Sequence, residues 1–411
     1  LLQFIRNSNM RLKIQHIRYA IILLFLLYGL NNTYFERNFY FNEILSLFGF
    51  GVFVFASLKK NLKLVFPKSY LIRLLLAYWA IFLIYAIVSL PLKTEWYFYF
   101  RHFSIFYSSF IFFLGFYWLE DFRRLMQKLR KLLIGFYLLF IPTDHPHYFG
   151  RVLDRYSVSA FFPFAFRKIS YWILFVVNIL YAYFFDSLTG IILSIIILVV
   201  LILPTYAHFR LLFIAALISF SALFMYLSPY FAKYKENAQG NHLFGNLHYV
   251  YQHSKILQID HNTSWRMVYW YRLLVEDFPE NIFGKGIGTP YLPYIEGKDT
   301  AESNYDDKHD AHTTGSHNTY VSMFARFGVS ILLFFFLLYT YILKDFYRNK
   351  IYYTQKGDVL FFVAFFTVSV IGLFNPFLET PTYSGLYWFF LGAVAKSIFN
   401  RQFANENPAN S

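Results

Sequence analysis

The residue types that could do chemistry crowd into one part of the chain. Seven of the twelve histidines fall in the polar stretch from Phe231 to Asn318: His242, His248, His253, His261, His309, His312 and His317. His317 stands where that stretch enters an apolar helix, followed by Asn318, Thr319 and Tyr320. An imidazole at such a water boundary, with an ordinary pKa of roughly 6.5, can take a proton from a hydroxyl at neutral pH. Helix capping or a plain interfacial place is the alternative for a histidine there. Arg101, beside His102, lies three residues into an apolar run, where an arginine is costly unless it lines a polar cavity or meets an anion. Arg151 and Arg155 share a connection with Asp144, His145 and His147, and either anchor the interface or bind an anion.

Other chemistry is disfavoured. Asp306, Asp307, His309, Asp310 and His312 offer ligand atoms, but in no metal-binding spacing such as HExxH, so they read as a solvated acidic loop and no metal is expected. The chain has no cysteine, which excludes disulfides, thiolate metal sites and a cysteine nucleophile. Gly284 to Gly288 reads GKGIG, but the spacing is wrong for a phosphate-binding loop and no Ser or Thr follows Lys285; tight turns are expected instead. Ser264 to Asp277 reads as an amphipathic helix along a membrane interface, capped by Thr263 or Ser264 and ended by Pro279.

The elements that must position these groups are apolar helices. Of the 411 residues 57% are hydrophobic and only 15% charged, which excludes a soluble globular domain and gives a chain embedded in the lipid bilayer. Eleven apolar runs can be counted, at 17–31, 39–57, 70–90, 98–118, 129–142, 169–186, 188–204, 209–230, 319–343, 359–376 and 382–399. The first, after Arg6, Arg11, Lys13 and Arg18, lacks a small-residue cleavage site and reads as a retained span. Three connections are basic: Lys59, Lys60, Lys63 and Lys68; Arg123, Arg124, Lys128, Arg130 and Lys131; and Lys344, Arg348, Lys350 and Lys356. All three should be cytoplasmic. An odd number of runs separates the second from the third, so one further crossing is needed, and Tyr156 to Phe166, interrupted by Pro163, is the candidate. An all-α integral membrane protein of about twelve transmembrane helices results, with both termini inside.

The expected organisation is therefore spans one to nine over 1–230, a large outer loop with short helices over 231–318, spans ten to twelve over 319–400 and a cytoplasmic tail over 401–411. Charge agrees with it. The loop carries eight Lys and Arg against eleven Asp and Glu, a net of −3, while the remainder carries +17. The basic residues flank apolar spans and build no separate soluble domain, so no nucleic-acid partner is expected.

The order Ser264-Trp-Arg266-Met, Trp270, Phe278-Pro279-Glu-Asn-Ile-Phe-Gly284-Lys-Gly286-Ile-Gly288-Thr, then His317-Asn318-Thr-Tyr320 with Gly328, resembles the signature of the O-antigen ligase and polymerase superfamily. The resemblance is sharp over residues 262–330 and elsewhere rests on span count and loop position. It implies a GT-C-like glycosyltransferase of about a dozen helices in the bacterial inner membrane, with its site facing the periplasm and no cofactor or metal. It implies that His317 is the catalytic base, that Arg266 is the catalytic loop arginine, and that the donor is an undecaprenyl-diphosphate-linked glycan. Asn318, Tyr320, Arg101, Arg151 and Arg155 become candidates for diphosphate or substrate contacts. The residues suit this chemistry: a sugar hydroxyl needs a base to attack, and a leaving diphosphate gathers charge that guanidinium groups bind through paired donors. The chain departs from the family at Ser187-Leu188-Thr189-Gly190, where a Ser-Arg pair is common, and at Ile331.

The leading expectation is an O-antigen ligase-like enzyme with lipid A-core as acceptor. A polymerase extending another carrier-linked glycan and a transferase acting on protein are the alternatives within the resemblance. From another class, a secondary transporter or flippase fits twelve spans, but the sequence shows no inverted repeat, and its intramembrane charges are few, Arg101 and Glu43 being the main cases.

Overall fold

The computed structural model describes residues 15–24, 41–66, 68–91, 96–129, 131, 176, 195–196, 198–237, 270, 272–276, 278–289, 318–374, 377–379 and 381–406. Among the described residues every regular element is helical. In chain order these are α1 (Phe41–Leu58), α2 (Asn61–Val65), α3 (Tyr70–Ser89), α4 (Trp96–Arg101), α5 (Ser104–Tyr107), α6 (Ile111–Tyr117), α7 (Leu119–Leu129), α8 (Tyr206–Asn237), α9 (Phe278–Asn281), α10 (Thr319–Arg348), α11 (Lys350–Lys356), α12 (Val359–Ile371) and α13 (Pro381–Glu406). Three of them, α1, α3 and α10, are long and apolar enough to cross a membrane, and up to five crossings result if each of two bent pairs is one span. Of the expected crossings before residue 41 and between 131 and 198, only residues 15–24, 176 and 195–196 are described, and most of the 231–318 loop lies outside the described residues.

Local chemistry sets the helix ends. Ser69 caps α3, its hydroxyl accepting from the Ile72 N–H, and Gly357, at φ 77°, closes α11 in the left-handed conformation that glycine adopts without strain. The run at 98–118 is not one straight helix. A 3-10 turn at Ser108–Phe110 interrupts it, with the Ser109 hydroxyl donating back to the Phe106 carbonyl at 2.6 Å, and the segment to Tyr117 meets α7 at 73°. α11 and α12 meet at 110°.

Small residues let the helices approach. A Cβ on Gly115 of α6 would stand 1.9 Å from the Phe389 carbonyl oxygen, and one on Gly392 of α13 would stand 2.0 Å from that of Phe112. α6 and α13 therefore touch backbone to backbone, as membrane helices do where lipid supplies no hydrophobic drive. Around this seam Phe112, Phe116, Phe122, Phe389 and Phe390 form part of one continuous aromatic core.

The bundle has two unlike ends. At one, ion pairs join Arg18 to Asp121, Lys68 to Glu406, Arg123 to Asp358 and Arg401 to Asp345. The three basic connections thus share an end, as the charge pattern requires. Tyr347 donates to the Val200 carbonyl and Lys350 to that of Leu201, which brings residues 200–201 to this end too. The Tyr156 to Phe166 segment, expected as the further crossing, lies outside the described residues. At the other end α3 finishes, α4 and α10 begin, and α12 hands over to α13.

Candidate functional site

Polar groups from four separate stretches meet at that second end. The first is the glycine segment. Gly284, Gly286 and Gly288 have φ of 79°, 80° and 81°, a left-handed backbone repeated at alternate positions that side-chain-bearing residues seldom adopt. The turn lies against the first half of α10: the Lys285 N–H donates to the Ala325 carbonyl at 2.8 Å, and the Gly286 N–H to that of Arg326 at 2.9 Å.

α10 is shaped to receive it. Gly328, at φ 63° and ψ −152°, breaks the helix, and the next N–H, that of Val329, turns to the Ile282 carbonyl at 3.0 Å. A Cβ on Gly284 would stand 2.2 Å from the Arg326 carbonyl oxygen, and one on Gly328 would stand 2.3 Å from that of Ile282. The two glycines are needed for the same contact, from its two sides.

The third stretch is the end of α3 with α4 and the turn after it. Ser89 Oγ accepts from the Ile287 N–H at 2.9 Å, and His102 Nδ1 accepts from the Gly288 N–H at 2.9 Å. Nδ1 therefore carries no proton, and the ring, only 4% exposed, is held in its neutral form with hydrogen on Nε2. The amides of residues 285–288 are all spent on protein acceptors, so the segment is not a phosphate cradle, in line with its spacing.

The fourth stretch joins α12 to α13. The Thr319 N–H donates to the Gly372 carbonyl at 2.7 Å, and the Thr319 hydroxyl oxygen accepts from the Phe377 N–H at 2.9 Å. Two residues on, Glu379 Oε1 accepts from Arg326 Nε at 2.5 Å, with the two side chains 9% and 2% exposed. Arg326 also donates through a terminal nitrogen to the Thr289 carbonyl at 3.2 Å.

Of the residues singled out from sequence, Asn318 caps α10, its side-chain oxygen accepting from the N–H groups of Tyr320 and Val321 at 2.9 and 3.2 Å. The Tyr320 hydroxyl turns into the bundle, donating to the Ser369 carbonyl at 2.8 Å and lying 2.7 Å from that of Tyr339. Arg101 ends α4 with its side chain exposed, next to the buried His102. His317, Arg266, Arg151 and Arg155 lie outside the described residues, as do Asp306 to His312. Among the described residues no group of three His, Asp or Glu could hold a metal ion.

Part of the segment expected as an amphipathic helix is described. Arg272–Glu276 forms a π-helical turn; Leu273 is fully buried and packs with Val321 and Ala325 of α10, with Trp270 alongside. Pro279 sits in the first turn of α9, where no intrahelical N–H is required of it, so the residue expected to end a helix lies inside the start of one. The sequence reading missed Arg326 and Glu379. Arg326 was visible as a charge seven residues into an apolar run, but nothing local to it names a partner 53 positions away.

These elements define an all-helical protein with several helices able to cross a membrane and a polar cluster of arginine, histidine and glutamate at one end. No family model matches the chain, and neither the curated proteins nor the solved structures contain a match.

Proposed function

We propose that this chain is a glycosyltransferase of the bacterial inner membrane that takes a glycan from undecaprenyl diphosphate and joins it to a sugar hydroxyl. One observation carries the reading. The stretches through which the sequence resembles the O-antigen ligase and polymerase superfamily, 278–289 and 318–328, are 29 residues apart in the chain yet dock through two main-chain hydrogen bonds, with a third from Val329 just beyond, and the motif glycines Gly284 and Gly328 occupy the points of closest approach. A motif whose parts interlock in this way is one structural unit. That unit ends at Asn318, one peptide bond from His317.

In the proposed reaction His317 takes the proton of the acceptor hydroxyl as its oxygen bonds to the anomeric carbon of the donor sugar. The bond from that carbon to the diphosphate breaks, and the carrier leaves as the diphosphate anion. Arg266 pairs with the charge that gathers there, and Arg101, Arg151 and Arg155 are the proposed contacts to the carrier phosphates; Arg101 is exposed at the same end of the bundle as the glycine segment. The ends with basic connections face the cytoplasm, so this polar end faces the periplasm. The acceptor in the leading reading is lipid A-core; a polymerase would use a second carrier-linked glycan.

Purified protein supplied with the carrier-linked glycan and either lipid A-core or further carrier tests this. Lengthened lipid A-core supports the ligase, and a ladder on the carrier supports the polymerase. No product with either acceptor, together with counterflow of labelled solute in proteoliposomes, would replace the reading with a transporter.

A further inference from the structure

The Arg326–Glu379 ion pair has no place in the reaction just described, yet it is among the most enclosed charged groups of the bundle. An arginine within an apolar membrane helix is costly and is kept where it does something. Its contacts here are with protein on every described side. Nε holds Glu379 in the connection from α12 to α13, a terminal nitrogen holds the Thr289 carbonyl at the end of the glycine segment, and its own main-chain oxygen accepts from Gly286. Glu379 is tied in turn: its carbonyl accepts from the Ser104 hydroxyl of α5 at 3.4 Å, and two residues earlier Phe377 donates to Thr319. One side chain thus bridges the glycine segment, α10 and the connection on which the start of α10 rests.

We propose that the Arg326–Glu379 pair is a positioning clamp, which fixes the glycine segment and the α12–α13 connection against the first half of α10 so that the polar end keeps a single geometry during transfer. Its kinetic arm rests on the transferase reading; its structural arm does not. Because the pair is desolvated, the two single variants break the same buried contact and the double variant breaks it only once, so their losses do not add. That non-additivity separates a clamp from a residue that touches substrate.

The test uses the full chain reconstituted in lipid, with Glu379→Gln, Arg326→Gln, the double variant and Glu379→Asp. Each glutamine variant should lower kcat by about a hundredfold, the loss that follows a displacement of roughly 1 Å at a reacting centre, with KM for the carrier-linked glycan little changed. The double variant should lose about as much as either single one, and Glu379→Asp should stay within about tenfold of the parent. A rise in KM at constant kcat would make Arg326 a substrate contact and overturn the clamp, as would a double variant whose loss is the product of the two single losses. Should the parent protein transfer no glycan, the transferase reading fails by itself and hydrogen exchange decides on the clamp. The amides of residues 285–288 should then exchange at least about tenfold faster in Glu379→Gln, or in Arg326→Gln if that variant does not fold. Unchanged exchange would overturn the proposal.

Discussion

Replacing Gly328 by alanine strikes the joint on which the polar end depends. At φ 63° and ψ −152° the residue sits in a region open essentially to glycine alone, where another residue is strained by about 1–3 kcal/mol. The new Cβ would also stand 2.3 Å from the Ile282 carbonyl oxygen and 2.7 Å from the Phe283 carbonyl carbon. Relieving that overlap requires a shift that stretches the 3.0 Å bond from the Val329 N–H to Ile282, at a cost of about 1 kcal/mol. Together these give about 2–4 kcal/mol, which for a chain of this size lowers the melting temperature by roughly 2–5 °C. The control is Gly51→Ala in α1, where a Cβ meets nothing within 4 Å and helix propensity favours alanine by up to about 1 kcal/mol. Melting of the purified protein in one detergent should separate the two variants clearly. A Gly328→Ala protein that melts within about 1 °C of the parent would refute the docking of the glycine segment on α10.

Two more outcomes follow from the same geometry. Ser89→Ala and His102→Phe each strip the acceptor from a buried N–H, that of Ile287 or Gly288, and each should cost about 1–3 kcal/mol in a denaturation assay. Ser57→Ala, which removes only a bond back to Phe53 within its own helix, should change stability by under about 0.5 kcal/mol, and equal losses for all three would argue against the special role of Ser89 and His102. Because the chain contains no cysteine, Arg266→Cys with His317→Cys gives a clean pair for cross-linking. The proposed site predicts efficient joining by a short bifunctional reagent in folded protein, and no joining would separate the two proposed catalytic groups.

Helices were legible in the sequence where apolar length decides them. The runs at 39–57 and 70–90 became Phe41–Leu58 and Tyr70–Ser89, because about 20 apolar residues have no competing fate in a bilayer. Breaks within helices were less legible. The run at 319–343 looked continuous, since Gly328 alone does not stop a helix; it does so here because the carbonyl of Ile282, 46 positions earlier, captures the following N–H. The same limit applies to the site. GKGIG announced its turns through its glycines, and its left-handed backbone follows from residue type. That its amides would be taken by Ser89 and His102 depends on contacts 198 and 186 positions apart, which no local pattern encodes. Arg326 was hidden for a related reason: its charge was plain, but its partner Glu379 lies 53 positions away and no neighbouring residue points to it.

The measurement that bears most directly on the account is glycan transfer from undecaprenyl diphosphate by purified protein, compared with its His317→Ala variant at equal, folded expression. The account predicts transfer by the parent without added metal and its loss in the variant, with the donor still bound. A variant that transfers at the parent's rate, or a parent that leaves the carrier-linked glycan intact with every acceptor, would contradict it.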